Sequence, residues 1–288
     1  MSAASPAPDA ELAAKARAAL AEDVGDGDRT TAWTIHAEAR GTGRILARAA
    51  GVVAGVALAD AVLGAADSGL ERAWRVADGD RVEPGDELVT ISGALRSILT
   101  AERATLNGLS HLSGIATLAA RYVRAVEGTG ARILDTRKTT PGWRLLEKAA
   151  AAAGGAVNHR MGLYDMVLIK ENHIRGAGGV GAALDAVGPR ARDAGLEVEI
   201  EVTGPEELET ALRHGPDRIL LDNLGPDELA DAVARVRSRP GPHPLLEASG
   251  GVTLDTVREI ASSGVDFVSV GAITHSAPAL DLSLQVDP

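Results

Sequence analysis

From about residue 131 onward the chain alternates between short apolar runs and helical stretches, and this alternation constrains the fold more than any other feature. Strands are predicted at 131–136, 165–170, 196–202, 218–222, 245–248 and 266–271. Helices are predicted between them, near 143–153, 180–194, 205–213, 226–237 and 253–262. Because strand–helix alternation produces a parallel sheet covered by helices, this half is predicted to be α/β. Six or more units with short connections favour a closed α/β barrel over an open sheet.

The first half of the chain lacks this rhythm. Helices are predicted over 9–22 and 100–127, where apolar residues recur at helical spacing. Residues 43–63 indicate a strand, a glycine turn and an apolar helix. Residues 73–93 alternate and turn at Asp-Gly and Pro-Gly, which predicts β-hairpins. The same segment is similar to the turn of biotinyl and lipoyl carrier domains, but it holds no lysine to modify, so a carrier function is excluded.

Composition excludes several classes of function. The 288 residues carry a formal net charge of −11, so neither nucleic acid nor an anionic membrane is an expected partner. The absence of cysteine excludes disulfides, thiolate metal sites and a cysteine nucleophile, and it fits a cytoplasmic protein. No apolar run approaches the ~20 residues of a membrane helix. Residues 1–8 are predicted to be a disordered lead rather than a signal peptide.

Polar residues or glycines follow each predicted strand of the second half. In an α/β barrel the active site lies at the carboxyl ends of the strands. Those ends carry, in order, Arg137 with Lys138, then Lys170, Glu201, Asp222, Ser249-Gly250-Gly251 and Gly271. Because several cations close together are costly without a partner, a pocket for a small anionic ligand is predicted. Lys148, by contrast, is expected on a solvated helix face.

Two of these strand ends suit a phosphate group. Glycine loops let backbone N–H groups approach an anion, and the loops after the last two barrel strands often bind phosphate. Ser249-Gly250-Gly251 leads into a helix predicted to start near Thr253, and Gly271 follows the next strand. His275 comes shortly afterwards and is expected to cover the same site.

The carboxylates and a histidine–arginine pair admit more than one interpretation. Glu199 and Glu201 face the same side of one strand, and Asp222 ends the next. Near a phosphorylated ligand such carboxylates indicate either bound Mg²⁺ or charge balance against the cations. For Glu199 an internal salt bridge is the simpler explanation. His159 and Arg160 either stabilise the fold or bind an anion. Further candidates for hydrogen bonds, either within loops or at the rim, are Asn158, Asn172 and His173.

Longer stretches of the chain resemble one family of enzymes. Segment 136–173 (TRKTTPGWRLLEKAAAAAGGAVNHRMGLYDMVLIKENH) closely resembles quinolinate phosphoribosyltransferase. Further matching segments are GDRTT (27–31), AERATLNGLSHLSGIAT (101–117), EVEIEVTGPEEL (197–208), LLDN (220–223), LEASGGV (246–252) and VSVGAITHSAPALDLSL (268–284). The resemblance covers almost the whole chain, and a string of this length is highly specific.

The resemblance implies a fold, a reaction and an assembly. The family combines an N-terminal α/β sandwich, here expected over 9–115 and joined by 276–288, with an incomplete, seven-stranded-type α/β barrel over 116–275. It transfers phosphoribosyl from phosphoribosyl pyrophosphate to quinolinate with Mg²⁺. The products are nicotinate mononucleotide, pyrophosphate and CO₂, on the de novo route to NAD. Members are homodimers or larger assemblies in which each site borrows residues from the neighbouring subunit.

Site residues are carried over by position. By this resemblance, the quinolinate carboxylates are expected to be bound by Arg137, Lys138, His159 and Arg160. The arginine that the family supplies from the partner subunit corresponds to Arg103. Phosphoribosyl pyrophosphate and the metal are expected near Lys170, Glu201 and Asp222. The 5′-phosphate is expected to be held by Ser249, Gly250, Gly251, Gly271 and His275. The expected catalytic residues are Lys138, Lys170, Glu201 and Asp222, of which the last two are the expected metal ligands.

Other functions of the same scaffold stand beside quinolinate transfer. A pyrophosphorylase-like protein associated with molybdenum transport, or a nicotinate-using transferase, would differ in the ring pocket. A catalytically silent ligand-binding barrel would lack cations or glycines of the site. Intact Arg137, Lys138, His159 and Arg160 favour quinolinate.

Overall fold

The computed structural model of the chain describes residues 9–287, and the predicted disordered lead over 1–8 lies outside them. Helices and strands are both present, which confirms the α/β class. Among the described helices, none combines the length and the apolar composition needed to cross a membrane.

The elements follow the predicted order. The strands are β1 (Arg40–Ala47), β2 (Gly51–Val52), β3 (Glu71–Trp74), β4 (Arg81–Val82), β5 (Glu87–Ala94), β6 (Arg132–Leu134), β7 (Val167–Ile169), β8 (Val198–Val202), β9 (Arg218–Asp222), β10 (Leu245–Ser249), β11 (Phe267–Ser269) and β12 (Leu282–Asp287). The helices are α1 (Asp9–Val24), α2 (Arg29–Thr34), α3 (Val56–Ala66), α4 (Leu95–Ala125), α5 (Arg144–Ala153), α6 (Glu171–Ala177), α7 (Val180–Ala194), α8 (Pro205–His214), α9 (Pro226–Arg237), α10 (Val257–Ser262) and α11 (Ala272–His275).

The described chain divides into two compact units. The parallel-sheet unit comprises residues 121–139 and 156–275. The antiparallel-sheet unit comprises the residues up to 120, the segment 140–155 and the residues from 276 onward. The segment 140–155 lies between two strands of the parallel sheet in sequence, yet it is part of the antiparallel-sheet unit. The predicted domain limits stay a prediction.

The antiparallel-sheet unit contains a four-stranded sheet in the order β12-β1-β5-β3 and a separate pair, β2-β4. The predicted simple hairpins over 73–93 are wrong in their pairing, because β3 pairs with β5 and β4 pairs with β2. The turn at Asp78-Gly79 explains this difference. Gly79 N–H donates to the carbonyl of Val53, and Val53 N–H donates to the carbonyl of Asp80, so the turn bonds to β2 and its extension. The sheet packs its buried face against the apolar side of α4.

The parallel-sheet unit contains six parallel strands in the order β6-β11-β10-β9-β8-β7. A single parallel bridge between Leu134 and Val157 lies beside β6. The barrel-type α/β domain is thereby confirmed as an incomplete barrel. The closed barrel favoured by the number of strand–helix units is wrong for the described strands, because β6 and β7 lie at the two ends of the strand order and do not pair with each other. Two helices begin as predicted, since Pro205 and Pro226 each occupy the first turn after a glycine.

Two local predictions need correction. The helix expected from Thr253 begins at Val257, because residues 254–256 form a turn in which Thr253 N–H donates to Thr256 Oγ1 at 3.0 Å. Lys148 is fully buried on α5, so its expected place on a solvated face is wrong. Its neighbour Glu147 is also fully buried, and it contacts His111 Nε2 at 2.9 Å and accepts from Thr140 N–H at 3.0 Å. Local sequence shows that this part of α5 is charged, but only the packing of the helix determines that Glu147 and Lys148 are buried.

Candidate active site

A cavity of about 850 Å³ opens at the carboxyl ends of the parallel strands. Its wall brings together all but one of the predicted site residues: Arg137, Lys138, His159, Arg160, Lys170, Glu201, Asp222, Ser249, Gly250, Gly251, Gly271 and His275. Most of these residues lie at or just beyond the ends of six different strands, and parallel pairing brings these ends together. His159 and Arg160 instead follow Val157, which forms the single parallel bridge to Leu134. The remaining residue, Arg103, does not line the cavity. It lies on α4 with its side chain 62% exposed, and its role through a partner subunit stays a prediction.

One side of the cavity is cationic. Arg160 is buried, and its Nη1 donates to the backbone carbonyl of Met166 at 3.2 Å. Burial, and next the positive charge of Arg137, lower the pKa of Arg160. The segment before it is held by Asp135, which accepts from Asn158 Nδ2 at 2.6 Å and from His159 N–H at 2.8 Å. Two guanidinium groups held this close and partly desolvated favour a bound anion.

The cavity also holds a pair of carboxylates, Glu201 and Asp222. Lys170 Nζ donates to Glu201 Oε2 at 2.6 Å. Burial, and next the nearby charge of Glu201, raise the pKa of Asp222. Asn223 Nδ2 donates to Asp222 Oδ2 at 2.6 Å. Two carboxylates that repel each other at the edge of an open cavity are the oxygen donors that Mg²⁺ takes, so these residues fit a divalent cation.

The glycine turns let the backbone reach the cavity. Gly250 has φ +101° and Gly251 has φ +59°, a region that favours glycine. A Cβ on Gly250 would lie 2.6 Å from Asn223 Cγ and 3.0 Å from Asn223 N. A Cβ on Gly271 would lie 3.0 Å from Lys138 Cδ and 3.1 Å from His275 Nε2. Close approach therefore requires glycine at 250, whereas at 271 a Cβ would require the Lys138 and His275 side chains to shift.

A buried charged cluster adjoins the cavity, and two of its members, His159 and Glu247, also line the cavity. His159 Nε2 lies 3.1 Å from Glu199 Oε2 and 3.5 Å from Glu247 Oε2, and Arg218 Nη1 lies 3.3 Å from Glu247 Oε2. Burial, and next the charge of Glu199, raise the pKa of Glu247 to about 7. Burial likewise raises the pKa of Glu199. Glu199 has the internal partner expected for it, because His159 Nε2 lies 3.1 Å from Glu199 Oε2, and the two form an ion pair only when His159 is protonated.

Some cavity residues had no individual prediction. The cavity is also lined by four residues to which no role was assigned from the sequence: Thr136, Asn223, Glu247 and Ser269. An acid inside the apolar run of β10 was the available signal for Glu247, because a buried carboxylate needs a partner. Asn172 and His173, expected to form hydrogen bonds in a loop or at the rim, do not line the cavity. His173 instead accepts from Lys170 N–H at 3.0 Å and closes the start of α6.

A parallel α/β sheet with a cationic wall, a carboxylate pair and glycine turns at its strand ends defines an enzyme that handles phosphorylated anionic substrates. Two family models narrow this class. Residues 28–113 match "Quinolinate phosphoribosyl transferase, N-terminal domain", and residues 115–285 match "Quinolinate phosphoribosyl transferase, C-terminal domain". The chain belongs to the quinolinate phosphoribosyltransferase family.

Individual relatives agree over nearly the full length. The chain is 46% identical over 275 residues to the nicotinate-nucleotide pyrophosphorylase [carboxylating] of Mycobacterium leprae, covering 94% of this chain and 95% of that protein. It is 42% identical over 287 residues to the quinolinate phosphoribosyltransferase [decarboxylating] 1b of Nicotiana tabacum, covering 93% and 80%. The structure of the nicotinate-nucleotide pyrophosphorylase from Francisella tularensis superposes with a TM-score of 0.94 at 37% identity, covering 100% of both chains.

Proposed function

We propose that this protein transfers phosphoribosyl from phosphoribosyl pyrophosphate to quinolinate and releases CO₂, giving nicotinate mononucleotide and pyrophosphate. The observation that carries the proposal is the single cavity into which Arg137, Arg160, Lys170, Glu201 and the glycine turns converge. The names of the relatives, with their carboxylating or decarboxylating activity, support the same reaction.

The cationic wall fits the ring acid. Quinolinate carries two adjacent carboxylates, and Arg137, Lys138 and Arg160 are the cations available to them. Each hydrogen bond between charged groups contributes about 1.5–3 kcal/mol, so several are needed to desolvate a dianion. Nicotinate has one carboxylate and would leave part of this wall without a counter-charge. A quinolinate-specific site is therefore favoured over the nicotinate-using alternative, and the intact cations and glycines speak against a silent barrel.

The transfer step needs electrostatic stabilisation rather than a covalent nucleophile. The ring nitrogen attacks C1′ of the ribose, and the C1′–oxygen bond breaks so that pyrophosphate leaves with the electron pair. The ribose carbon gains positive charge on the way, and we assign its stabilisation to Glu201. The hydrogen bond from Lys170 Nζ to Glu201 supports this assignment, because it keeps the carboxylate in the cavity. The ring nitrogen of the intermediate is cationic. It stabilises the electron pair left on the neighbouring carbon when CO₂ departs, and that carbon then takes a proton from solvent.

Glu201 and Asp222 are the residues that would hold Mg²⁺. A bound Mg²⁺ would neutralise charge on the departing pyrophosphate. The raised pKa of Asp222 beside Glu201 reflects a repulsion that a cation relieves. Lys170 supplies part of this compensation within the chain itself.

We also propose a homodimer or larger assembly, located in the cytoplasm, in which Arg103 completes the site of a neighbouring subunit. The exposed position of Arg103 on α4 supports this assignment, because its guanidinium is accessible to a second chain.

The test is a product assay on the purified protein. It is incubated with phosphoribosyl pyrophosphate and Mg²⁺ and either quinolinate or nicotinate, and nicotinate mononucleotide and CO₂ are measured. We expect product from quinolinate with one CO₂ per nucleotide and none from nicotinate. Product from nicotinate alone, or binding of phosphoribosyl pyrophosphate without product from either acid, would refute the proposed function.

A further inference from the structure

His159 is held at both of its ring nitrogens. The backbone N–H of Arg160 donates to His159 Nδ1 at 2.7 Å, so Nδ1 carries a lone pair. The proton of the neutral ring is then on Nε2. Nε2 faces the two buried carboxylates, 3.1 Å from Glu199 Oε2 and 3.5 Å from Glu247 Oε2. The two carboxylates thus select one tautomer and one ring orientation.

The ring orientation is coupled to the position of Arg160. The peptide N–H of Arg160 donates to the His159 ring, and Arg160 also lines the cavity. The preceding backbone is fixed separately by Asp135, which accepts from His159 N–H at 2.8 Å. Asp135 therefore anchors the peptide on one side of His159, and the imidazole anchors the next peptide. Rotation of the ring would break the second anchor only.

We propose that Glu199 and Glu247 are positioning residues for quinolinate binding, acting through the His159 ring to hold Arg160 in place. The inference rests on the proposed function, and it assigns a role to two residues that do not contact the expected reacting atoms. Neither carboxylate needs to move a proton for this role. What is required is an acceptor that faces Nε2, supplied by β8 and β10.

The same three side chains resemble a metal site, since their candidate ligand atoms lie within 4.8 Å of one another. The bond to Nδ1 argues against a resident ion. A metal on Nε2 would leave both ring nitrogens as acceptors, one toward the metal and one toward Arg160 N–H, which needs an imidazolate. Histidines that bind metals normally donate from the second nitrogen instead. A positioning role accounts for the geometry without deprotonating the ring to an imidazolate.

The experiment compares Glu247→Ala and Glu199→Ala with Glu247→Gln and Glu199→Gln. The alanine variants should raise the KM for quinolinate about tenfold, the equivalent of one hydrogen bond to a charged group, with the KM for phosphoribosyl pyrophosphate unchanged. The glutamine variants should largely restore it, because the amide still presents an oxygen atom to Nε2. In an Arg160→Ala background, the alanine substitutions should have no further effect on the KM for quinolinate.

Glu197→Gln is the matched control. Its carboxylate lies 3.7 Å from Arg218 Nη2, and its side chain is 55% exposed, whereas those of Glu199 and Glu247 are buried. We expect it to leave both KM values unchanged. Equal losses for both substrates, or full additivity with Arg160→Ala, would show a merely structural role and overturn the proposal.

A readout without turnover separates this inference from the proposed function. The ¹⁵N NMR signals of the His159 ring in the wild-type protein should show a protonated Nε2 and an unprotonated Nδ1, and the alanine variants should perturb them. A proton on Nδ1, or loss of the Nε2 proton on titration with Zn²⁺, would overturn the proposal. If the wild-type protein forms no product from quinolinate, the proposed function fails, whereas the NMR result still reports on the ring.

Discussion

Replacing Gly250 with alanine tests the glycine turn at the end of β10. Gly250 has φ +101°, and a Cβ there would lie 2.6 Å from Asn223 Cγ and 3.0 Å from Asn223 N. Asn223 is itself held by two hydrogen bonds. Its N–H donates to the Ser249 carbonyl at 2.8 Å, and its Nδ2 donates to Asp222 Oδ2 at 2.6 Å. Alanine at 250 must therefore displace the residue that orients a candidate metal ligand.

The expected cost has two parts. A residue with a side chain in the left-handed region costs about 1–2 kcal/mol. Disturbing the two hydrogen bonds of Asn223 adds roughly 1 kcal/mol each. Gly250→Ala is thus expected to lower the free energy of unfolding by about 3–4 kcal/mol. Gly241 is a matched control, because it has φ +93° and nothing within 4 Å of the position of its Cβ, so Gly241→Ala should cost only the backbone part.

The assay is denaturant unfolding of both variants, followed by the KM for phosphoribosyl pyrophosphate of the folded fraction. Gly250→Ala should be the less stable by about 2 kcal/mol and should raise that KM, whereas Gly241→Ala should leave the KM unchanged. Equal destabilisation of the two variants would refute the contact with Asn223. An unchanged KM for Gly250→Ala would refute the role of this turn in binding phosphate.

Three further predictions concern charge. Lys170→Ala should lower kcat/KM far more than Arg175→Ala, because Lys170 pairs with Glu201 in the cavity while the Arg175 side chain is 73% exposed on α6; similar losses would contradict this. Glu247 has a pKa of about 7 against an ordinary 4.5, so between these values the folded state binds more protons than the unfolded state. Its contribution to the free energy of unfolding therefore falls as pH rises through this window, and Glu247→Gln should make the measured slope less negative. Finally, subunits with Arg103→Ala mixed with subunits with Arg137→Ala should regain part of the activity that each loses alone, and no recovery would count against a shared site.

Much of the barrel-type half follows from local pattern. The apolar runs that became β8 and β9, and the glycine–proline pairs before α8 and α9, are readable because strand and helix periodicity act over a few residues. The residues that line the candidate site can also be predicted from the sequence. Parallel strands bring their carboxyl ends to one edge, so residues such as Lys170 and Asp222 meet in one cavity whatever their separation in sequence.

The sequence by itself determined the α/β class, the parallel sheet, the family and the side chains at the strand ends. Tertiary structure alone decided which distant groups meet. Three features depend on residues far apart along the chain: the β2-β4 pairing, the packing that buries Lys148, and the cluster of His159 with Glu199 and Glu247. Periodicity shows which side of an element is apolar, but it does not show which partner satisfies a buried charge. That choice is made when the elements pack, because a buried polar group is stable only against the particular atoms that packing brings to it.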